Sequence, residues 1–142
     1  MIADRSHLGG LFGACLIWAS TADADALNLL MGAKWSDTRP QAGECADPFW
    51  FELNQSRTRL TVRLETPVPS RDITGDTFHY QIREVHETTV RMFLEHETLR
   101  DDSGALVEWW LVHLGPGAFA WRRSDWQWWM LTPTRHRCLL PG

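Results

Sequence analysis

The chain has 142 residues, 14 Lys or Arg against 18 Asp or Glu, a net charge of −4 and nine tryptophans. No basic surplus argues for a phosphate-backbone partner, and no like-charge block argues for a disordered tail. The length suits one domain with a modest core.

The first 26 residues read as a secretory leader. Arg5 and His7 precede the apolar run 11–19, which gives way to small residues ending Ala24-Asp25-Ala26, an A-x-A cleavage pattern. The domain is then 27–142. The leader carries Asp4, Arg5, Asp23 and Asp25, so its removal lifts the net charge to −2. The run, roughly ten residues, is too short to span a bilayer. Gly13-Ala14-Cys15 also offers a lipidation site, but Phe12 stands where such sites carry Leu and the apolar run continues past the cysteine. Cleavage leaves Cys45 and Cys138 in an exported protein, periplasmic or extracellular, where a disulfide persists.

Beyond the leader the hydrophobic period is 2. A first strand is expected around 34–36. Phe49, Phe51 and Leu53 share one side of the next, and Leu60, Val62 and Leu64 alternate with Thr61, Arg63 and Glu65. Segments 78–83 and 90–95 repeat the pattern. Segment 105–114 is apolar on both faces, with Leu106, Trp110, Val112 and Leu114 on one and Val107, Trp109 and Leu111 on the other. Phe119 and Trp121 mark a short strand, and 128–138 holds another. Turns are expected at 54–56, 67–75, 85–87, 101–104 and 115–117. No amphipathic helix follows residue 36.

About eight strands joined by short connections predict an all-β fold, a single antiparallel up-and-down barrel, with a β-sandwich as the alternative. Closure brings the first and last segments together, so a Cys45–Cys138 bond fits it; two free thiols or an intermolecular bond remain open.

The run Leu30-Met31-Gly32-Ala33-Lys34-Trp35 entering the first strand, with the alternating strands and the late cysteine, resembles the lipocalin and lipocalin-like barrels. The family's spacing is Gly-x-Trp, whereas two residues separate Gly32 from Trp35. Arg123-Ser124-Asp125-Trp126 is similar to the family's Thr-Asp-Tyr loop, though it comes later in the strand order. The resemblance implies that Trp35 closes the barrel floor beneath an arginine, Arg123 or Arg137. Without it, Trp35 is an ordinary core aromatic.

The chemistry-bearing side chains are few. His96, flanked by Glu95 and Glu97, continues the apolar face of Val90, Met92 and Leu94. Glu84 continues that of Phe78, Tyr80 and Ile82, and Glu108 that of Leu106 and Trp110. His96, Glu84, Tyr80, Trp110 and Glu108 are therefore expected to line a lumen as the polar anchor of a small apolar or amphipathic ligand. An interior histidine satisfied by its neighbours is the competing reading. No nucleophile elbow, metal-ligand spacing or phosphate loop is present, so no catalytic residue, metal or cofactor is expected. Trp126, Trp128 and Trp129 either plug the core or, beside Arg122 and Arg123, form a contact surface. Small barrels that inhibit bacterial alkaline metalloproteases are similar in size, export and Gly–Trp first strand, and their N-terminus enters the target's cleft. That resemblance implies a protein-binding alternative, using the apolar residues 27–30 against a partner unless they plug the chain's own barrel.

Overall fold

The computed structural model describes residues 25–41, 44–69 and 74–139. Eight antiparallel strands close into one barrel in chain order: β1 Lys34–Ser36, β2 Phe49–Leu53, β3 Arg59–Pro69, β4 Thr74–Val85, β5 Thr89–Leu94, β6 Trp109–Gly115, β7 Ala118–Arg123 and β8 Arg135–Arg137. Each strand pairs with its neighbour in sequence, and β8 returns to β1 through Trp35↔Arg137 and Ser36↔His136. This is the expected barrel and not a sandwich, and its layout is compatible with a lipocalin-like one. No helix among the described residues is long and apolar enough to cross a membrane. Most of the leader expected at 1–26, with Cys15, lies outside the described residues.

Period-2 alternation places one apolar row of each strand in the interior. Phe49 and Phe51 of β2, Leu60 and Val62 of β3, Val90 and Met92 of β5, Leu111 of β6 and Phe119 of β7 are all buried. Charged side chains cover the outside, where Arg63 donates to Glu52 at 2.7 Å across the β2–β3 pair.

Departures from strict alternation have local causes. In β4 the register shifts between Ile82 and Glu84. The extra residue turns Glu84 outward and sends Val85 inward against the core, because a β-bulge inverts side-chain parity beyond it. Of the turn expected at 67–75, Pro67 to Pro69 belong to β3, past a second irregularity, and Thr74 and Gly75 to β4. β6 starts at Trp109, not at 105. The Asp101 carboxylate accepts the amides of Ser103 and Ala105 at 2.9 and 3.0 Å, and Asp101 and Val107 amides donate to Ala105 and Leu99 carbonyls. Residues 99–107 thereby become a small excursion of their own. The last strand is likewise shortened to 135–137, and 124–134 forms a long loop.

One end of the barrel is shut. Residues 25–31, including a 3-10 turn at Asn28–Leu30, fold under it, with Ala26, Leu27 and Leu30 fully buried. The segment is pinned by polar contacts. Ala26 N–H donates to His86 O at 3.1 Å, the Asp25 carboxylate meets Arg57 at 2.5 Å, and it also accepts the Asn28 amide at 2.9 Å. Leu27 and Leu30 thus plug the chain's own barrel.

Cys45 and Cys138 are disulfide-bonded, with Cα atoms 5.6 Å apart and a separation of 93 positions in sequence. Closing a loop of that length contributes on the order of 4 kcal/mol in the chain-entropy picture.

The expected leader boundary falls inside the plug, because a cut after Ala26 removes the Asp25 and Ala26 contacts and leaves Leu27 as terminus. A chain beginning at Leu27 should therefore be less stable than one beginning at Asp25 by about 1–3 kcal/mol in urea denaturation, the value of a few hydrogen bonds and an ion pair. Equal midpoints and slopes would show that these contacts contribute nothing.

Candidate functional site

Aromatic rings climb the interior from the plug to the open end. Trp35, fully buried, donates from Nε1 to Leu30 O at 3.2 Å and meets the Phe119 ring edge-on at 4.9 Å. Phe119 contacts Phe51 at 5.7 Å and Trp121 at 5.8 Å. Trp121 stacks on Tyr80 at 5.5 Å with 22° between planes, and Trp109 stands perpendicular to it at 6.2 Å. Such offset and edge-on pairs add about 1 kcal/mol each beyond burial. The lower half of the lumen is therefore filled.

The upper half is open. A cavity of about 480 Å³ is walled by Phe49, Val62, Leu64, Phe78, Tyr80, Trp109 and Trp121, with Asp37, Thr132 and Arg135 at its rim. Arg135 Nε donates to Asp37 at 2.8 Å, and Asp47, which accepts from the Thr66 hydroxyl at 3.3 Å, adds a second carboxylate to the lining. Trp109 Nε1 is buried without a hydrogen-bond partner and has no surface on the cavity, while the Tyr80 hydroxyl makes no hydrogen bond among the described residues. Enclosure by protein, with a smaller contribution from the Glu97 charge, pushes the Tyr80 phenol well above its ordinary range, so it stays a neutral donor. Among the described residues no cluster of three metal-ligating side chains is present.

Only one of the five expected anchors, Tyr80, lines this cavity. Trp110 and Glu108 lie outside, since β6 directs Trp109, Leu111 and His113 inward. Glu84 is turned out by the β4 bulge. These three meet on the outer wall around Arg91: its guanidinium is bidentate to Glu108, reaches Glu84 at 3.4 Å and lies 5.7 Å over the Trp110 ring. His86 adds a contact to Glu84 at 3.2 Å. The hydrogen bonds to Glu108 hold the Arg91 proton more firmly than usual. His96 follows the end of β5, in a turn with φ of 65°, so alternation no longer governs it. It borders a separate shallow depression with Glu95, Glu97 and Leu106. There Arg59, at 2.7 Å, holds the Glu95 carboxyl below its ordinary range.

Trp35 does close the floor, but its cover is Phe119 and residue Leu30 instead of an arginine. Arg123 is at the other end, 5.7 Å over both Trp109 and Trp126 and paired with Asp125 at 2.6 Å. Arg137 is exposed, and among the described residues no guanidinium lies over the Trp35 ring. The site residues the sequence reading passed over are Trp109 and Trp121 on the wall and Arg135 at the rim. A signal for Trp109 was the pairing of parity with His113, since inward placement of one requires it of the other.

His113 is the one buried histidine of the plug. Its Nε2 lies 2.8 Å from Ala26 O, and a carbonyl only accepts, so Nε2 carries the proton. Nδ1 is buried with no partner, against Phe119. Burial lowers the imidazole pKa, only partly offset by the Ala26 contact. No family model, curated protein or solved structure matches the chain.

Because the folded-state pKa of His113 is depressed, the unfolded chain binds more protons in the window below the ordinary value near 6.5. Stability is fully present above that value and is lost as pH falls through the lower folded pKa. Urea midpoints should drop between pH 7.5 and pH 5, with a shallower drop in His113→Gln. A slope unchanged by the substitution would assign the dependence to other groups.

Proposed function

We propose that this protein is an exported, non-enzymatic binding protein that holds one small apolar or amphipathic molecule in the open half of its barrel. The observation that carries the reading is the cavity itself. Its volume, about 480 Å³, lies within the range of small-molecule sites, and its wall is aromatic with few polar groups. The Tyr80 hydroxyl, held neutral by its enclosure, supports a ligand with an oxygen acceptor beside that wall. The rim pair Asp37–Arg135 suits a polar group at the other end.

The protein-binding alternative relied on an apolar N-terminal segment free to enter a partner. Burial of Leu27 and Leu30 in the floor speaks for the carrier reading instead. Export is supported by the leader pattern and by the Cys45–Cys138 bond, which persists in oxidising compartments.

Native mass spectrometry of the exported protein, purified without detergent, tests this directly. The expected spectrum shows a chain lacking its leader, two hydrogens lighter than the dithiol, carrying a small molecule that is released on denaturation. Leu64→Trp, which fills the cavity from its wall, should abolish that adduct while preserving the melting temperature, and Tyr80→Phe should weaken it by about tenfold, the value of one hydrogen bond from the wall. An adduct retained by Leu64→Trp would place the molecule elsewhere; a bare wild-type chain that also ignores added fatty acids and aromatic acids would contradict the reading.

A further inference from the structure

The long loop between β7 and β8 presents apolar side chains with no partner. Trp128 is 81% exposed, Trp129 65%, Met130 39% and Leu131 43%. The loop is anchored at both ends: Thr132 N–H donates to Trp121 O at 2.9 Å, and Trp126 packs edge-on against Trp109 at 6.1 Å. Those anchors, Trp109 and Trp121, are walls of the cavity, and Thr132 is on its rim. The exposed residues therefore stand at the open end of the barrel.

We propose that residues 128–131 form a membrane-docking tip that seats the open end of the barrel on the interface of a zwitterionic lipid bilayer. Three observations select that occupant. First, the tip presents on the order of 500 Å² of apolar surface, allowing ~150–250 Å² for a fully presented aromatic. That is less than the ~800 Å² per partner of a stable protein interface, while a lipid interface requires no matched partner surface. Second, adjacent indoles are suited to the headgroup boundary, where an apolar ring body meets a polar N–H. Third, two guanidiniums beside the tip are paired, Arg123 with Asp125 at 2.6 Å and Arg135 with Asp37 at 2.8 Å, on a chain whose net charge is −4, or −2 without the expected leader. Attachment is consequently apolar and insensitive to salt, unlike polybasic attachment to anionic lipid.

Docking in this orientation faces the cavity toward the bilayer. That the ligand passes between bilayer and lumen rests on the carrier reading; the docking does not.

Flotation with phosphatidylcholine vesicles tests the tip. The oxidised protein should float with the vesicles equally well at low salt and in molar sodium chloride, and gain nothing from anionic lipid. Trp128→Ala/Trp129→Ala should lower partitioning by about tenfold per indole, with near-ultraviolet circular dichroism unchanged, since both side chains are in solvent. Leu114→Ala, a half-exposed apolar site on the outer wall away from the tip, should float like wild type. Absence of flotation, flotation that survives the double substitution, or flotation only on anionic vesicles at low salt would overturn the proposal. So would a dimer in solution that the double substitution dissociates, which would assign the tip to a second copy of the chain. The Leu64→Trp variant separates the two readings, because a filled lumen should still float.

Discussion

Everything in this molecule depends on one short seam. Strands β1 and β8 are each three residues long and meet through two residue pairs, whereas β3 and β4 pair along most of their length. A seam with so few ladder bonds cannot by itself oppose the entropy of the two chain ends. Closure is helped by bonds outside the ladder: Ser36 donates to Ala46 O at 2.6 Å, Cys138 N–H donates to Lys34 O at 2.8 Å, and the Cys45–Cys138 bond ties the β1–β2 connection to the residue after β8. An open sheet would expose Trp35, whose burial depends on the neighbours that the seam supplies.

Closure also explains why the interior is divided. The plug residues Leu27 and Leu30, with Trp35 and Phe119, occupy the shut end and leave little space there. At the other end the strands diverge into longer connections, and Tyr80, Trp109 and Trp121 stand around space instead of filling it. His113 at the plug is committed to Ala26 through Nε2, whereas the Tyr80 hydroxyl on the cavity wall has no partner among the described residues.

The strand pattern was largely legible in the sequence because alternation is a local property. Residues 49–53, 60–64 and 78–82 show their inward rows plainly, and the inward row of each is the one observed. Legibility ended where parity was reset by features that alternation does not encode. The β4 bulge carried Glu84 outward, the end of β5 at Leu94 released His96 from its row, and in β6 two apolar faces left the choice between Trp109 and Trp110 to the neighbouring strands. In β6 the deciding pairs are long-range, Met92↔Trp109 and Arg91↔Trp110, which put the arginine's partner outside. The disulfide was readable from the cysteine count and the logic of closure. The apolar residues 27–30 allowed a plug as one of two roles, but a segment that resembles a leader's end says nothing of the contacts that residues 25 and 26 make with Arg57, His86 and His113.

The most direct measurement is amide hydrogen exchange on the oxidised and the reduced protein. Reduction should remove protection from the seam, at the amides of Ser36, His136 and Cys138, while the central ladder of β3, β4 and β5 keeps it. Seam amides equally protected after reduction, or protection lost uniformly across all eight strands, would contradict the claim that the disulfide holds this barrel closed at one of its shortest pairings.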